Sequence, residues 1–232
     1  MMHRLLKFVL FFRYVFKSGP VKLGLVNLAP ALVVLLCTLP VSAEPEIRIL
    51  VLGDSLTAGY GLAEPDSFPA QLEQALKKGG TSVRILNAGV SGDTSAGGRA
   101  RLEWSLASKP HAVVIELGAN DGLRGLNPKA TAANLDAIVS ALKRKGLAVL
   151  LVGMRAPPNL GADYGQEFSA IFGRIAAKYE IALYPFFLDG VATYENLNQA
   201  DGIHPNAEGV GVIVTNILPF IQRLVSQARS VR

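Results

Sequence analysis

The chain has 232 residues, half of them hydrophobic and 18% charged, with a formal net charge of +5. Residues 1–43 contain five basic residues and no acid (Arg4, Lys7, Arg13, Lys17, Lys22), so residues 44–232 balance 18 Lys+Arg against 18 Asp+Glu. That neutrality excludes the basic footprint of a nucleic-acid binder, and the single cysteine, Cys37, leaves residues 44–232 without a disulfide, a zinc–thiolate site or a cysteine nucleophile.

Residues 1–43 read as a secretory signal peptide: a cationic start, an apolar stretch from Leu28 to Leu39, and Val41-Ser42-Ala43 as a small-residue cleavage site. Pro40 ends the apolar helix just before that site. Cleavage near Ala43 leaves 189 residues (232 − 43), enough for a single domain, 44–232, with a substantial core. The product is expected to be periplasmic or secreted, touching the membrane only through its leader. The alternative is an uncleaved anchor, but the apolar run is shorter than the roughly 18–20 residues of a spanning helix and Pro30 interrupts it.

Beyond the leader, short runs rich in Ile, Val and Leu alternate with longer amphipathic stretches. Strands are predicted at 47–52, 83–87, 112–117, 147–152 and 181–184, and helices at 68–78, 96–108, 128–145, 166–178 and 206–225. Gly79-Gly80 and Gly146 are sensible helix stops, and Asn127-Pro128 a sensible start. Strict β/α alternation predicts a doubly wound parallel sheet of about five strands with helices on both faces.

Ligands of such sheets bind beyond the carboxyl ends of the strands. Ser55 follows the first predicted strand, Gly89 the second and Asn120 the third, while Asp201 and His204 follow the last. All five are therefore expected at one edge. A serine hydroxyl becomes a useful nucleophile when a base takes its proton and a carboxylate orients that base. Asp201 and His204, three residues apart, can pair within one turn. An oxyanion also needs donors, and an asparagine amide is a good one.

Each residue has a plainer reading. Ser55 could cap the helix after the first strand, Gly89 could serve backbone conformation, and Asn120 could be a turn residue. Asp54, Asp93 and Asp121 read as loop braces. His111 opens a strand at the opposite edge and reads as structural. There is no Walker pattern and no cluster with metal-ligand spacing, so no metal is expected.

Four ordered phrases carry a resemblance: Gly53-Asp54-Ser55-Leu56-Thr57-Ala58-Gly59-Tyr60, Asn87-Ala88-Gly89-Val90-Ser91-Gly92-Asp93-Thr94, Glu116-Leu117-Gly118-Ala119-Asn120-Asp121-Gly122-Leu123-Arg124-Gly125 and Asp201-Gly202-Ile203-His204-Pro205-Asn206. With them, residues from about 47 to about 220 resemble the SGNH (GDSL-type) hydrolases, closest to their bacterial periplasmic thioesterase, lysophospholipase and arylesterase branch. The family often has a second glycine where Ala119 stands. The resemblance implies a three-layer flavodoxin-like fold, no cofactor, Ser55, Asp201 and His204 as the catalytic triad, and an oxyanion hole formed by Ser55, Gly89 and Asn120.

It also implies hydrolysis of small-molecule esters, thioesters or lysophospholipids. Leu123 and Leu126, in the loop after Asn120, are expected to border the acyl chain, and Arg155 and Pro157 to line the entrance. Medium-length acyl groups are expected to be preferred over acetyl. The competing readings are a polysaccharide acetyl-esterase and a catalytically idle module that binds acyl chains or glycans. No segment beyond the leader reads as a protein interface.

Overall fold

The structure, a computed structural model, describes residues 45–231, so the readings of the leader lie outside it. Five strands, β1 (Ile47–Gly53), β2 (Val83–Gly89), β3 (Ala112–Glu116), β4 (Ala148–Val152) and β5 (Ala182–Tyr184), form one parallel sheet in the order β2-β1-β3-β4-β5. Every residue of β3 is buried. This is why the sequence there is a continuous apolar run rather than an alternating one.

The helices are α1 (Ser55–Ala58), α2 (Phe68–Lys78), α3 (Ser95–Ala100), α4 (Leu102–Ser105), α5 (Ala119–Leu123), α6 (Pro128–Arg144), α7 (Ala162–Tyr179) and α8 (Ala207–Ser230). α2 packs with α8, while α6 packs with both α3 and α7. Right-handed crossovers put these two groups on opposite faces of the sheet, because the chain steps one way from β1 to β2 and the other way from β2 onward. α8 shows how sequence fixes a packed face: Val210, Ile213, Ile217, Ile221 and Leu224 recur every three or four residues and all are buried.

The predicted helix at 96–108 is the one element that breaks up. It is two helices and a 3₁₀ turn at Leu106–Ser108, with Arg101 out of helical conformation at φ −99°, ψ 6° between them. Arg101 is engaged elsewhere: its guanidinium donates to the Asp93 carboxylate at 2.6 Å and to the Gly53 carbonyl at 2.8 Å. These contacts tie the break to the end of β1.

The strand order reverses between β1 and β3, which makes their carboxyl ends the place for a ligand. Gly53 pairs in register with Gly89 on one side and Glu116 on the other. The segments that follow these three residues therefore start from one level.

Candidate active site

The turn after β1 is built for close approach. A Cβ on Gly53 would lie 2.0 Å from Thr57 Oγ1 and 2.6 Å from Glu116 Oε2, so no side chain fits there. Asp54 caps α1, accepting the Leu56 N–H at 3.0 Å. Capping thus falls to Asp54, and the Ser55 hydroxyl is left for another partner. His204 Nε2 lies 2.9 Å from Ser55 Oγ.

His204 and the carboxylate it pairs with belong to one short loop. Asp201 Oδ2 is 2.6 Å from His204 Nδ1, while Oδ1 accepts the backbone N–H groups of Ile203 and His204 at 2.9 and 3.0 Å. The His204 N–H, the imidazole and the Ile203 N–H, in that order, lower the Asp201 carboxyl to about 2, so it stays ionised wherever the imidazole needs it.

Two residues that sequence reasoning missed hold this loop against the serine turn. Gln199 Nε2 donates to the Tyr60 carbonyl at 2.8 Å and to the Pro205 carbonyl at 2.9 Å, and the Gln199 N–H donates to the His204 carbonyl at 2.7 Å. The Tyr60 ring lies 4.6 Å from the His204 ring, tilted by 36°. Tyr60 closes the first recognised phrase, and Gln199 lies two residues before the last. Their own signal is weak, because a polar residue in a turn and an exposed tyrosine are ordinary features.

Asn120, in α5, reaches the same place. Its Nδ2 donates to Asp54 Oδ2 at 3.2 Å and to the Asp93 carbonyl at 2.9 Å. Gly89 requires a correction. Its N–H is already donated to Asn87 Oδ1 at 2.9 Å, it does not line the cleft at Ser55, and a Cβ there would meet Ala58 N at 2.3 Å. Gly89 is needed for the close packing of β2 on α1. Gly92, three residues on at φ +82°, lines the cleft with Ser55 and Asn120, and its N–H has no partner among the described residues.

Beneath the serine turn lie two buried acids. Asp54 and Glu116 are both fully buried. Glu116 Oε2 accepts the Thr57 hydroxyl at 2.8 Å and the Asp54 N–H at 3.4 Å, while Oε1 has no hydrogen-bond partner among the described residues. Burial pushes Asp54 up to about 6, against the pull of the Leu56 N–H and the Asn120 amide. Burial, reinforced by the charge of Asp54, pushes Glu116 well above the usual carboxylate range. Asp121 braces α5 by accepting from Ser95 N–H at 2.8 Å, Ser95 Oγ at 2.5 Å and Thr131 Oγ1 at 2.9 Å. His111 is remote, its Nδ1 accepting the Arg48 N–H at 2.9 Å near the start of β1.

A cleft of about 650 Å³ opens beside Ser55 and His204, walled by apolar side chains that include Leu123, Met154, Phe186, Leu188 and Ile203. Arg155, Pro157 and Leu123 line it. Leu126 does not. The chain turns at Gly125, φ +59°, and the Leu126 carbonyl instead accepts the Tyr164 hydroxyl at 2.8 Å.

A doubly wound parallel sheet with a hydroxyl, an imidazole and a carboxylate hydrogen-bonded in series at its switch point is the arrangement of the SGNH class of hydrolases. The chain belongs to the GDSL-like lipase/acylhydrolase family, whose sequence profile matches residues 51–212. It is 44% identical to "Esterase TesA" of Pseudomonas aeruginosa over 178 residues, 76% of this chain and 89% of that protein. It is 38% identical to "Thioesterase 1/protease 1/lysophospholipase L1" of Escherichia coli over 179 residues, 77% of this chain and 85% of that protein. A solved structure of TesA superimposes with a TM-score of 0.73 at 44% identity, covering 76% of this chain and 99% of the other.

Proposed function

We propose that the chain is a serine esterase and thioesterase acting through an acyl-enzyme on Ser55. The observation that carries this reading is the continuous hydrogen-bonded series from Ser55 Oγ through His204 to Asp201 at the mouth of an apolar cleft. The names of its relatives, an esterase and a thioesterase/lysophospholipase, support the same reaction class.

In this mechanism Ser55 Oγ attacks the acyl carbonyl as its proton passes to His204 Nε2. Asp201 stabilises the resulting imidazolium. The oxyanion is held by the N–H groups of Ser55 and Gly92 and by the Asn120 amide, with Gly92 in the place first expected of Gly89. His204 then returns the proton to the departing alcohol or thiol. Water then attacks the acyl carbon as it loses a proton to His204, and His204 passes that proton to Ser55 Oγ as the acyl–oxygen bond breaks and the acid departs.

The lining favours an acyl chain over a bare acetyl group. Each buried methylene contributes about 0.8 kcal/mol, so medium-length chains running past Leu123 gain affinity until the wall ends. The acetyl-esterase reading calls for a polar pocket and has less support from these residues. We extend the proposal to residues 1–43 as a cleaved leader and to a single domain beyond the cytoplasmic membrane.

The test is hydrolysis of p-nitrophenyl and CoA esters of graded chain length by the native protein and by Ser55→Ala. Activity in the native protein and a loss of at least ~10³-fold in the variant are expected. Retained activity in Ser55→Ala, with circular dichroism unchanged, rejects the acyl-enzyme.

A further inference from the structure

Trp104 is the single tryptophan of the chain, and at 79% it is the most exposed large hydrophobic side chain among the described residues. It stands in α4, which buries Leu102 and Ser105 and turns Glu103 and Trp104 outward. One exposed apolar side chain is ordinary. What sets Trp104 apart is its surroundings.

Those surroundings are basic. From α4 the chain passes through the Leu106–Ser108 turn to exposed Lys109 and then into the amino end of β3. Arg48, second in β1, donates to the Lys109 carbonyl from Nε at 3.1 Å and from Nη2 at 2.6 Å. Lys143 and Arg144 end α6 and Lys145 follows, all three exposed, and Lys145 Nζ reaches Glu103, beside Trp104, at 3.2 Å. The segments 45–48, 103–112 and 142–148 thus hold five lysines and arginines against two acids, Glu46 and Glu103, in a domain whose charges otherwise balance.

Helix dipoles account for part of this, since cations stabilise helix carboxyl ends. They do not account for Arg48 and Lys109, which lie outside the α-helices, or for an indole held in water among the cations. A stable protein interface has a contiguous apolar core, and no other large exposed hydrophobic residue stands in these segments. An anionic bilayer matches both features: indole rings settle at headgroup level, and lysines and arginines are drawn to acidic lipids.

We infer that this face, Trp104 with Lys109, Lys143, Arg144 and Lys145, docks on the surface of an anionic lipid bilayer. The contact is additional to the one expected of residues 1–43. It lies at the amino ends of the strands, whereas the cleft opens at their carboxyl ends, and the seven residues of β1 separate the two by roughly 20 Å. A domain docked this way keeps Ser55 turned from the lipid and open to the aqueous side.

The experiment follows Trp104 fluorescence, which no other tryptophan overlaps, as vesicles are added to the full chain. The vesicles contain ether-linked phosphatidylcholine with or without ether-linked phosphatidylglycerol, because ether lipids offer the proposed esterase no bond to cut. A blue shift with phosphatidylglycerol, absent with phosphatidylcholine alone and weakened by added salt, is expected. The vesicle concentration at half-shift should rise roughly fivefold for each charge removed in Lys143→Gln and Arg144→Gln, with circular dichroism unchanged. No shift with phosphatidylglycerol, or a shift that both substitutions together leave intact, overturns the inference. The same shift on adding soluble polyglutamate also overturns it, because the face then binds polyanions of any kind and not a lipid surface.

Discussion

Asn120 donates to Asp54 and to the Asp93 carbonyl through the same nitrogen that would serve an oxyanion. Its amide is therefore part of the loop scaffold as well as a candidate donor, and the catalytic and structural readings of the residue are not alternatives. Asn120→Ala is expected to lower kcat by roughly 10²–10³-fold, the cost of one oxyanion donor. It should also lower stability by about 1–2 kcal/mol, because buried Asp54 loses a hydrogen-bond partner. Kinetics and urea unfolding on one preparation separate the two effects. A stability loss with kcat intact would remove Asn120 from the mechanism.

The glycines show what a sequence conceals at this scale. In Asn87-Ala88-Gly89-Val90-Ser91-Gly92 either glycine could present a free amide. The choice turns on where β2 ends and on the Asn87 side chain, which takes the Gly89 N–H. Neither is encoded in spacing. Ser55, Asp201 and His204 were legible because a hydroxyl, a base and a carboxylate at strand ends have a joint chemical meaning that none has alone. Leu126 was misplaced for a backbone reason: the positive φ of Gly125 carries it away from the cleft that Leu123 lines.

Among the elements, the strands announce themselves by composition, and their observed ends lie within two residues of expectation. Buried β-branched runs have few other places to go. The stretch 96–108 reads as one helix because no proline interrupts it, and its division depends on Arg101 reaching Asp93 and Gly53, contacts made across the fold.

The loop carrying Asp201 and His204 has a comparable tertiary tie in Gln199, which joins it to the carbonyl of Tyr60 in the turn after α1. Gln199→Ala should leave substrate binding nearly unchanged while lowering kcat about tenfold, since the imidazole would lose its fixed approach to Ser55. A larger change in KM than in kcat would count against a positioning role. Gln199→Glu, which keeps the length but loses donors, should behave like the alanine variant.

The buried acids set how stability of the whole domain depends on pH. Glu116 holds its proton in the folded protein over a range where the unfolded chain has released it, and Asp54 does so between 3.8 and about 6. The folded state thus binds more protons across that window, and stability must fall as pH rises through it. Below about 3.8 this contribution is at its full value, and it is lost as pH rises through the folded values. Glu116→Gln removes one of the two raised groups while keeping its shape. Its thermal midpoint should decline less between pH 5 and pH 8 than that of the native protein, and should equal or exceed the native value at pH 8. A variant less stable at pH 8, with an unchanged slope, would mean that Glu116 is ionised in the fold.

The Asp201–His204 loop makes the proposed base and its carboxylate one covalent piece, whereas Ser55 lies 149 residues before His204. A chain that emerges amino-terminus first therefore carries its hydroxyl for most of its length with no imidazole to activate it. When the last loop arrives, α8 must still pack along α2 to close the domain. Reactivity is the final property such a molecule acquires, so throughout its synthesis the incomplete polypeptide passes esters and thioesters as an inert traveller.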